Sequence, residues 1–253
     1  MSQEVSEKEG ASAMGIPKQG PVVAIDGPAG TGKSSVTRRL ADSLGFVHVD
    51  TGALYRAVAL KTMEQAGAAT ADALDAAALE SAAEIARASH LEFKRAPKRN
   101  PANRILIDGR DVTQLIRTLE VSMAASRVSA VSSVRAALVG LQRRLGSVGR
   151  TILEGRDIGT VIFPDADVKF FMTASVEERA KRRLTELEAT GADAPSFAEV
   201  KAQIAERDQA DTGRAVAPLK RAPDAIEVDT TSMTLDEVVR HMELIVRERI
   251  GSK

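Results

Sequence analysis

A run of glycines followed by a lysine and a serine is the part of this sequence that most directly predicts chemistry. Gly27, Gly32, Lys33 and Ser34 fill the spacing G-x-x-x-x-G-K-S of a phosphate-binding loop. In such a loop the backbone N–H groups face a phosphate, the lysine reaches the outer phosphates and the hydroxyl can bind Mg²⁺. We therefore expect a nucleoside triphosphate to bind along Gly27, Pro28, Ala29, Gly30, Thr31, Gly32, Lys33, Ser34 and Ser35.

The flanking residues supply the elements that this motif requires. The apolar run 22–25 is typical of a buried parallel strand, and 35–44 has apolar residues at helical spacing. FVHVD predicts a second strand that ends at Asp50, where Thr51 is a possible helix cap and Arg56 follows one turn later. Because ligands gather at the carboxyl ends of parallel strands, we expect this turn to face the same crevice as the loop.

A third predicted strand ends in the sequence EGRD. Glu154 comes first and could hold a magnesium-bound water beside the phosphate loop. Arg156 and Asp157 follow and could bind a ligand; the alternative is that they form a structural ion pair. An earlier Gly-Arg-Asp at 109–111 is instead predicted to end a hairpin arm. We interpret His48 as structural, since phosphoryl transfer needs no histidine.

The chain between the second and third of these strands predicts an accessory region. Residues 66–89 are rich in alanine and have the spacing of surface helices. HLEFKRA and RILIDGRDVT alternate apolar and polar residues on either side of a polar turn, which predicts an antiparallel hairpin. The sequence SMAASRVSAVSSVRAALVGLQRRL then predicts further helices.

After the third strand, the sequence predicts two helices joined by the loop TGADAPS. Ser175–Glu178 and Ser196–Glu199 fit the pattern of capping boxes. Arginines 179, 182 and 183 share one helical face and precede the loop as they would in a mobile lid. Residues 207, 211 and 214 share a face if the second helix persists that far.

The composition excludes several classes of function. Lys plus Arg and Asp plus Glu are both 35, and aromatic residues are 3%, which disfavours a nucleic-acid partner. The absence of cysteine excludes disulfides, and no apolar run is long enough to predict a membrane span. Residues 1–20 carry no long apolar segment and are interpreted as a disordered extension. We expect a cytoplasmic monomer with neither a membrane nor a nucleic-acid partner.

Four blocks of the sequence together resemble bacterial cytidylate kinases, namely IDGPAGTGKSS, DTGALYRAVAL, EGRDIGTVIFPDA and ERDQADTGRAVAPL. The alternating strands and helices predict a doubly wound α/β sheet. The resemblance implies a P-loop kinase fold over 21–253, with an inserted monophosphate-binding region at about 66–137 and a lid at about 175–197. It also implies transfer of the γ-phosphoryl group of ATP to CMP or dCMP, with Mg²⁺.

The resemblance also implies roles for the matching residues. The substrate-binding set is Asp50, Thr51, Tyr55, Arg56, Ser126, Arg135, Arg156, Asp157, Arg207, Asp211 and Arg214. Within it, Arg56, Arg156 and Arg214 match the CMP phosphate site, Arg207 and Asp211 the sugar site, and Thr51, Ser126, Arg135 and Asp157 the cytosine pocket. The catalytic set is Lys33, Arg156, Arg179, Arg183 and Arg214, and the metal site is Ser34 and Glu154. Glu154 stands where some members of the family have aspartate, and Thr51 where some have serine.

Other functions share parts of this pattern. A kinase of another small molecule, such as shikimate or gluconate, would share the loop but would not need Ser126, Arg135 and Asp157. A GTPase would need an Asn-Lys-x-Asp motif, which is absent. A nucleic-acid-linked ATPase would be expected to carry net basic charge or stacking aromatics. The intact lysine, serine and arginine set disfavours a binding module without catalysis.

Overall fold

Strands and helices alternate through the residues that the computed structural model describes, which are 17–94, 103–189 and 195–251. The strands are β1 (Val22–Asp26), β2 (Val47–Asp50), β3 (Leu91–Lys94), β4 (Arg104–Ile107), β5 (Arg110–Asp111), β6 (Thr151–Gly155), β7 (Val168–Thr173) and β8 (Ile226–Asp229). The helices are α1 (Lys33–Leu44), α2 (Thr51–Ala66), α3 (Ala76–Ala88), α4 (Leu119–Ala130), α5 (Ser132–Ser147), α6 (Val176–Glu188), α7 (Phe197–Gly213) and α8 (Leu235–Gly251). A 3₁₀ turn spans Leu115–Arg117 and a π-helical turn spans Ile158–Ile162.

Five parallel strands form the central sheet, in the order β2-β6-β1-β7-β8. Every residue of β1 is buried, as expected of an apolar strand with neighbours on both sides. Apolar side chains of α1 and α8 pack on one face of the sheet, and those of α5 and the π-helical turn pack on the other. The predicted doubly wound α/β sheet is therefore confirmed.

The carboxyl ends of β1, β6 and β2 lie side by side. In the register of the sheet, Asp26 is opposite Gly155 and Asp50 is opposite Glu154. The late strand β6 is inserted between the two earliest strands, and it brings the EGRD sequence next to the phosphate loop. These strand ends form the crevice that the sequence predicts.

The region between β2 and β6 has its own apolar core. Helices α2, α3, α4 and α5 enclose that core together with the small sheet β3-β4-β5. β3 pairs antiparallel with β4, so the predicted hairpin is confirmed, although its turn at 95–102 lies outside the described residues. At the opposite end of β4, the chain turns into the exposed strand β5, where Arg110 pairs with Glu64 and Asp111 pairs with Arg104. This first Gly-Arg-Asp therefore belongs to the hairpin, as predicted.

Helices α6 and α7 pack on each other through a small apolar cluster. At the start of α7, Ser196 and Glu199 form the predicted capping box. At the start of α6, the Ser175 hydroxyl accepts the N–H of Glu178, but the Glu178 carboxylate accepts from Arg182 instead of returning to the cap. The predicted capping box at the start of α6 is therefore only half formed: the contact from the Glu178 side chain back to the backbone of Ser175 is missing, because Glu178 pairs with Arg182 one turn later.

Two segments predicted to be mobile lie largely outside the described residues. They are the N-terminal extension, of which 1–16 are not described, and the lid loop, of which 190–194 are not described. Within the predicted extension, Lys18 Nζ donates to the Asp165 carbonyl at 2.5 Å, and the Gln19 N–H donates to the Ser147 carbonyl at 2.9 Å. In the ranges that are described, no helix has the length and apolar character needed to cross a membrane.

Candidate functional site

A cavity of about 580 Å³ opens at the carboxyl ends of β1, β6 and β2. Every residue predicted to bind the substrate lines it: Asp50, Thr51, Tyr55, Arg56, Ser126, Arg135, Arg156, Asp157, Arg207, Asp211 and Arg214. The phosphate loop contributes Ala29, Gly30, Gly32, Lys33, Ser34 and Ser35, and Glu154 and Arg183 also line the cavity. The lining does not include four residues that the sequence also places in the site, namely Gly27, Pro28, Thr31 and Arg179.

The phosphate loop needs glycine where it packs on the sheet. Gly27 has φ +149°, and a Cβ atom there would lie 2.1 Å from the carbonyl oxygen of Met172. Lys33 is buried, and its Nζ donates to the carbonyl of Pro28 at 2.5 Å. Burial, followed by the positive charge of Arg156, holds the pKa of Lys33 well below its usual range. The loop therefore presents a desolvated lysine beside an arginine, an arrangement that favours an incoming anion.

The turn between β2 and α2 is fixed by Asp50. Asp50 Oδ1 accepts the N–H of Ala53 at 3.1 Å and caps α2, so the cap predicted at Thr51 is wrong. The Thr51 hydroxyl donates to the carbonyl of Glu154 at 2.7 Å instead. Asp50 Oδ2 accepts from Arg56 at 2.7 Å. Burial alone would raise the pKa of Asp50, but the Arg56 guanidinium lowers it below its usual value.

A chain of polar contacts joins Glu154 to the phosphate loop and to β2. Ser34 Oγ donates to Glu154 Oε2 at 2.9 Å, and His48 Nε2 lies 2.8 Å from Glu154 Oε1. Burial would lower the pKa of His48, yet the hydrogen bond and charge of Glu154 raise it overall. His48 thus positions a carboxylate, consistent with its predicted structural role. Ser34 and Glu154 together offer the oxygen ligands that Mg²⁺ prefers.

The second Gly-Arg-Asp makes two separate ion pairs. Arg135 donates to the Asp157 carboxylate, and the two side chains are only 5% and 6% exposed. Arg156 Nε donates to Asp211 at 2.8 Å. Arg156 and Asp157 therefore both form ion pairs, as the structural alternative predicted, but each pairs with a residue from elsewhere in the chain and not with the other. The Arg135 guanidinium also lies over the Tyr55 ring, 5.4 Å from its centroid.

Three arginines that line the cavity have buried N–H groups without a hydrogen-bond acceptor among the described residues. Arg56 Nε, Arg207 Nε and Arg214 Nη2 are buried and have no hydrogen-bond partner among the described residues. Burial and the nearby Arg156 lower the pKa of Arg207 to about 10, so it stays charged at neutral pH. Helix α7 ends at Gly213 and Arg214 is its extended C-cap, so the predicted shared helical face holds for Arg207 and Asp211 but not for Arg214. Buried donors of this kind favour an anion with several oxygens.

The sequence reasoning missed Asp26, the last residue of β1. Its carboxylate is 4% exposed and accepts the N–H groups of Ile158 at 2.8 Å and Gly159 at 2.7 Å. Burial raises the pKa of Asp26 to about 6, although these two hydrogen bonds oppose the shift. The available signal was an acidic residue that closes an apolar strand directly before the loop, which is an unfavourable place for a carboxylate without a partner.

The two arginines predicted to act from the lid are in different situations. Arg179 is buried, donates to both oxygens of Asp208 at 3.0 and 2.6 Å, and donates to the carbonyl of Ala29 at 3.2 Å. Arg183 lines the cavity and donates to Glu186 at 3.2 Å. Arg179 therefore joins α6 and α7 to the phosphate loop, while the contact of Arg183 seen among the described residues is with Glu186 of its own helix.

Known proteins similar to this chain are cytidylate kinases. The family model described as cytidylate kinase matches residues 23–248. A cytidylate kinase of Geobacter sp. (strain M21) is 49% identical over 236 residues, which is 93% of this chain and 97% of that protein. The cytidylate kinase of Geobacter sulfurreducens is 49% identical over 92% of this chain and 95% of its own length. A bifunctional pantoate ligase/cytidylate kinase of Synechocystis sp. is 48% identical over 87% of this chain and 41% of that protein.

Proposed function

This chain belongs to the cytidylate kinase family and transfers the γ-phosphoryl group of ATP to CMP or dCMP, and we propose which side chains perform each part of that reaction. One observation carries the assignment: the phosphate loop and the buried arginine N–H groups without described partners converge on a single cavity. Phosphoryl transfer requires two phosphates in line and neutralisation of their charge, which these groups can supply.

The donor side is the phosphate loop. Backbone N–H groups of the loop and the start of α1 bind the phosphates of ATP. Lys33 turns its ammonium from the Pro28 carbonyl towards the outer phosphates, where negative charge develops during transfer. Its low pKa in the free protein supports this role, because a phosphate would compensate the burial of the ammonium.

The acceptor phosphate of CMP binds to Arg56, Arg156 and Arg214. Asp50 accepts from Arg56 Nη2 and Asp211 accepts from Arg156 Nε, while Arg156 Nη1 also makes a long contact of 3.4 Å to the Gly155 carbonyl. Further donors of both guanidinium groups stay available. Arg56 Nε and Arg214 Nη2 are buried donors with no hydrogen-bond partner among the described residues, although Arg214 Nη2 lies 3.8 Å from Asp211 Oδ1. Phosphate oxygens would satisfy both donors. Forked guanidinium donors suit a phosphate better than single ammonium groups do.

The nucleoside part of CMP binds beyond these arginines. Arg207 and Asp211 on α7 contact the sugar, where the Asp211 carboxylate can accept from hydroxyl groups. The cytosine pocket is formed by Thr51, Ser126, Arg135 and Asp157. Asp157 accepts from the exocyclic amine of cytosine, and Arg135 donates to the acceptor edge of the ring. The Tyr55 ring beneath Arg135 keeps that guanidinium in place.

Ser34 and Glu154 are the side chains that would hold Mg²⁺, which would neutralise phosphate oxygens of ATP. The two side-chain oxygens are already 2.9 Å apart, and His48 fixes the other Glu154 oxygen. Within the described ranges, His, Cys, Asp and Glu side chains form no group of three that could hold a metal. A site built from one hydroxyl, one carboxylate, water and substrate phosphates is the kind that Mg²⁺ usually occupies.

Two arginines of α6 complete the charge neutralisation. Arg183 reaches the transferred phosphoryl group from the cavity lining, and Arg179 acts from behind the loop through Ala29. The acceptor phosphate is already an anion, so the reaction needs no general base. Closure of α6 and its loop over the cavity would exclude water from the phosphoryl group.

A comparison of the two Gly-Arg-Asp copies tests the assignment. ADP release is measured with CMP, dCMP, UMP, AMP and shikimate for wild type, Asp157→Asn and the matched control Asp111→Asn. An asparagine can rotate its amide to donate to the carbonyl of uracil, so Asp157→Asn should lower kcat/KM for CMP at least about tenfold and narrow the preference for CMP over UMP. Asp111 is exposed on the hairpin, so Asp111→Asn should change neither kcat/KM for CMP nor the preference for CMP over UMP.

Two results would contradict the assignment. One is a change of base preference in Asp111→Asn without a change in Asp157→Asn, and the other is an unchanged preference in both. Removing a charge from the buried Arg135–Asp157 pair could also destabilise the fold. ATP affinity, which should be nearly unchanged in Asp157→Asn, therefore serves as the measure of intact protein.

A further inference from the structure

Asp26 connects two parts of the active site that are far apart in the sequence. It is the last residue of β1, and the phosphate loop begins at the next residue, Gly27. Its two oxygens accept the N–H groups of Ile158 at 2.8 Å and of Gly159 at 2.7 Å. The side chain is thus covalently next to the donor loop and hydrogen-bonded to the segment that follows β6.

The partners of Asp26 make it an anchor of the backbone. In the part of the chain that the structure describes, neither oxygen of Asp26 forms an ion pair, and each accepts from a separate amide. A carboxylate that accepts two N–H groups in a buried site makes short, charge-assisted hydrogen bonds. In an asparagine of the same size, one of these two amides would face the NH₂ group, which cannot accept a hydrogen bond.

The segment anchored by Asp26 directly follows the residues assigned to the substrate. Arg156 and Asp157 come immediately before Ile158 and Gly159, where the chain leaves β6 and enters the π-helical turn. The segment packs so closely that a Cβ atom on Gly159 would lie 3.1 Å from the Lys169 side chain and 3.4 Å from Asp26 Oδ2. A shift of these amides would therefore move the backbone that carries both substrate-binding side chains.

We propose that Asp26 is a positioning residue, which sets the distance and orientation of Arg156 and Asp157 relative to the phosphate loop. The donor and acceptor sites then share one rigid reference, the carboxyl end of β1. This inference rests on the proposed assignment of Arg156 and Asp157 to CMP. Asp26 touches neither nucleotide in this scheme and acts through the backbone of the π-helical turn.

The test is Asp26→Asn, compared with a matched control at the opposite end of the same strand. Asp167 Oδ2 accepts the N–H of Val22 at 2.9 Å and also pairs with Lys18 Nζ at 3.2 Å, so Asp167→Asn perturbs a carboxylate contact to the same strand away from the site. Asp26→Asn should lower kcat/KM for CMP by about 10- to 100-fold, the cost of displacing a substrate-positioning group by a fraction of an ångström to 1 Å. KM for ATP should stay within about twofold, and the preference for CMP over UMP should narrow. Asp167→Asn should change none of these quantities.

The change in base preference separates positioning from general damage. An unchanged kcat/KM for CMP overturns the inference, as does an equal loss for CMP and UMP. If Asp157→Asn leaves the base preference intact, the assignment of the cytosine pocket fails. If Asp157→Asn narrows the preference and Asp26→Asn does not, only the role of Asp26 fails. Should Asp26→Asn not fold, the preference for CMP over UMP is measured in Asp26→Ser instead, which removes the carboxylate without adding bulk.

Discussion

The ionisation of Asp26 should oppose folding, and this can be measured as a pH dependence of stability. Burial raises the pKa of this carboxyl from its ordinary value of 3.8 to about 6. The folded protein therefore holds the proton more tightly than the unfolded chain does. The contribution of Asp26 to stability is fully present below about pH 3.8 and is lost as the pH rises through about 6.

The size of the effect follows from the shift in pKa. A difference of about two pKa units corresponds to roughly 3 kcal/mol between the protonated and ionised extremes. At pH 5, which is one unit below the pKa in the folded state, about 1.4 kcal/mol of stability should be regained relative to pH 8. The side chain is almost fully buried, so solvent screening reduces this figure little.

Urea unfolding of wild type and Asp26→Asn at pH 5 and pH 8 would measure this pH-dependent contribution of Asp26 to stability. The chain has one tyrosine and no tryptophan, so far-UV circular dichroism is the suitable signal. The free energy of unfolding of wild type minus that of the variant should be about 1.4 kcal/mol larger at pH 5 than at pH 8. Because other titrating groups are common to both proteins, their contributions cancel in the difference. Equal differences at both pH values would refute the reasoning.

Two further predictions concern the donor site and the lid. Lys33→Ala should lower kcat at least about 100-fold, the usual cost of losing one well-placed electrostatic contact, with an unchanged circular dichroism spectrum; near wild-type turnover would contradict the role of the phosphate loop. Amide hydrogen exchange in α6 should slow when a bisubstrate analogue occupies both nucleotide sites, because closure must exclude water. Equal exchange with and without the analogue would argue against a lid.

Local patterns in the sequence predicted the elements and the residues of the site well. The glycine spacing identified the phosphate loop, and apolar runs located β1, β2 and β6 to within a few residues. Because these strands are parallel, their carboxyl ends had to meet, which brought Asp50, Glu154 and Lys33 to one cavity. The spacing of residues 207, 211 and 214 predicted one helical face, and α7 provides it for the first two, while Arg214 follows the end of the helix and still lines the cavity.

The partners of buried charges could not be predicted in the same way. Arg179 binds Asp208 from the neighbouring helix, and Arg135 rather than Arg156 pairs with Asp157. Such pairs depend on the packing of whole elements, which no local spacing encodes. At the start of α2 the sequence offered Thr51 as the cap, whereas the side chain of the adjacent Asp50 caps the helix. Asp26 escaped notice because its partners are backbone amides, which every residue except proline has.

The position of β6 between β1 and β2 also has a consequence for how the protein assembles during synthesis. Asp26 and Ile158 are 132 residues apart, so β1 leaves the ribosome long before the strand that must pair with it. Until β6 and then β7 arrive, both edges of an apolar strand remain open, a state prone to pairing with other chains. Non-local pairing of this kind slows folding. The phosphate loop is translated early, but the nucleotide site can be completed only after more than half of the chain has been made.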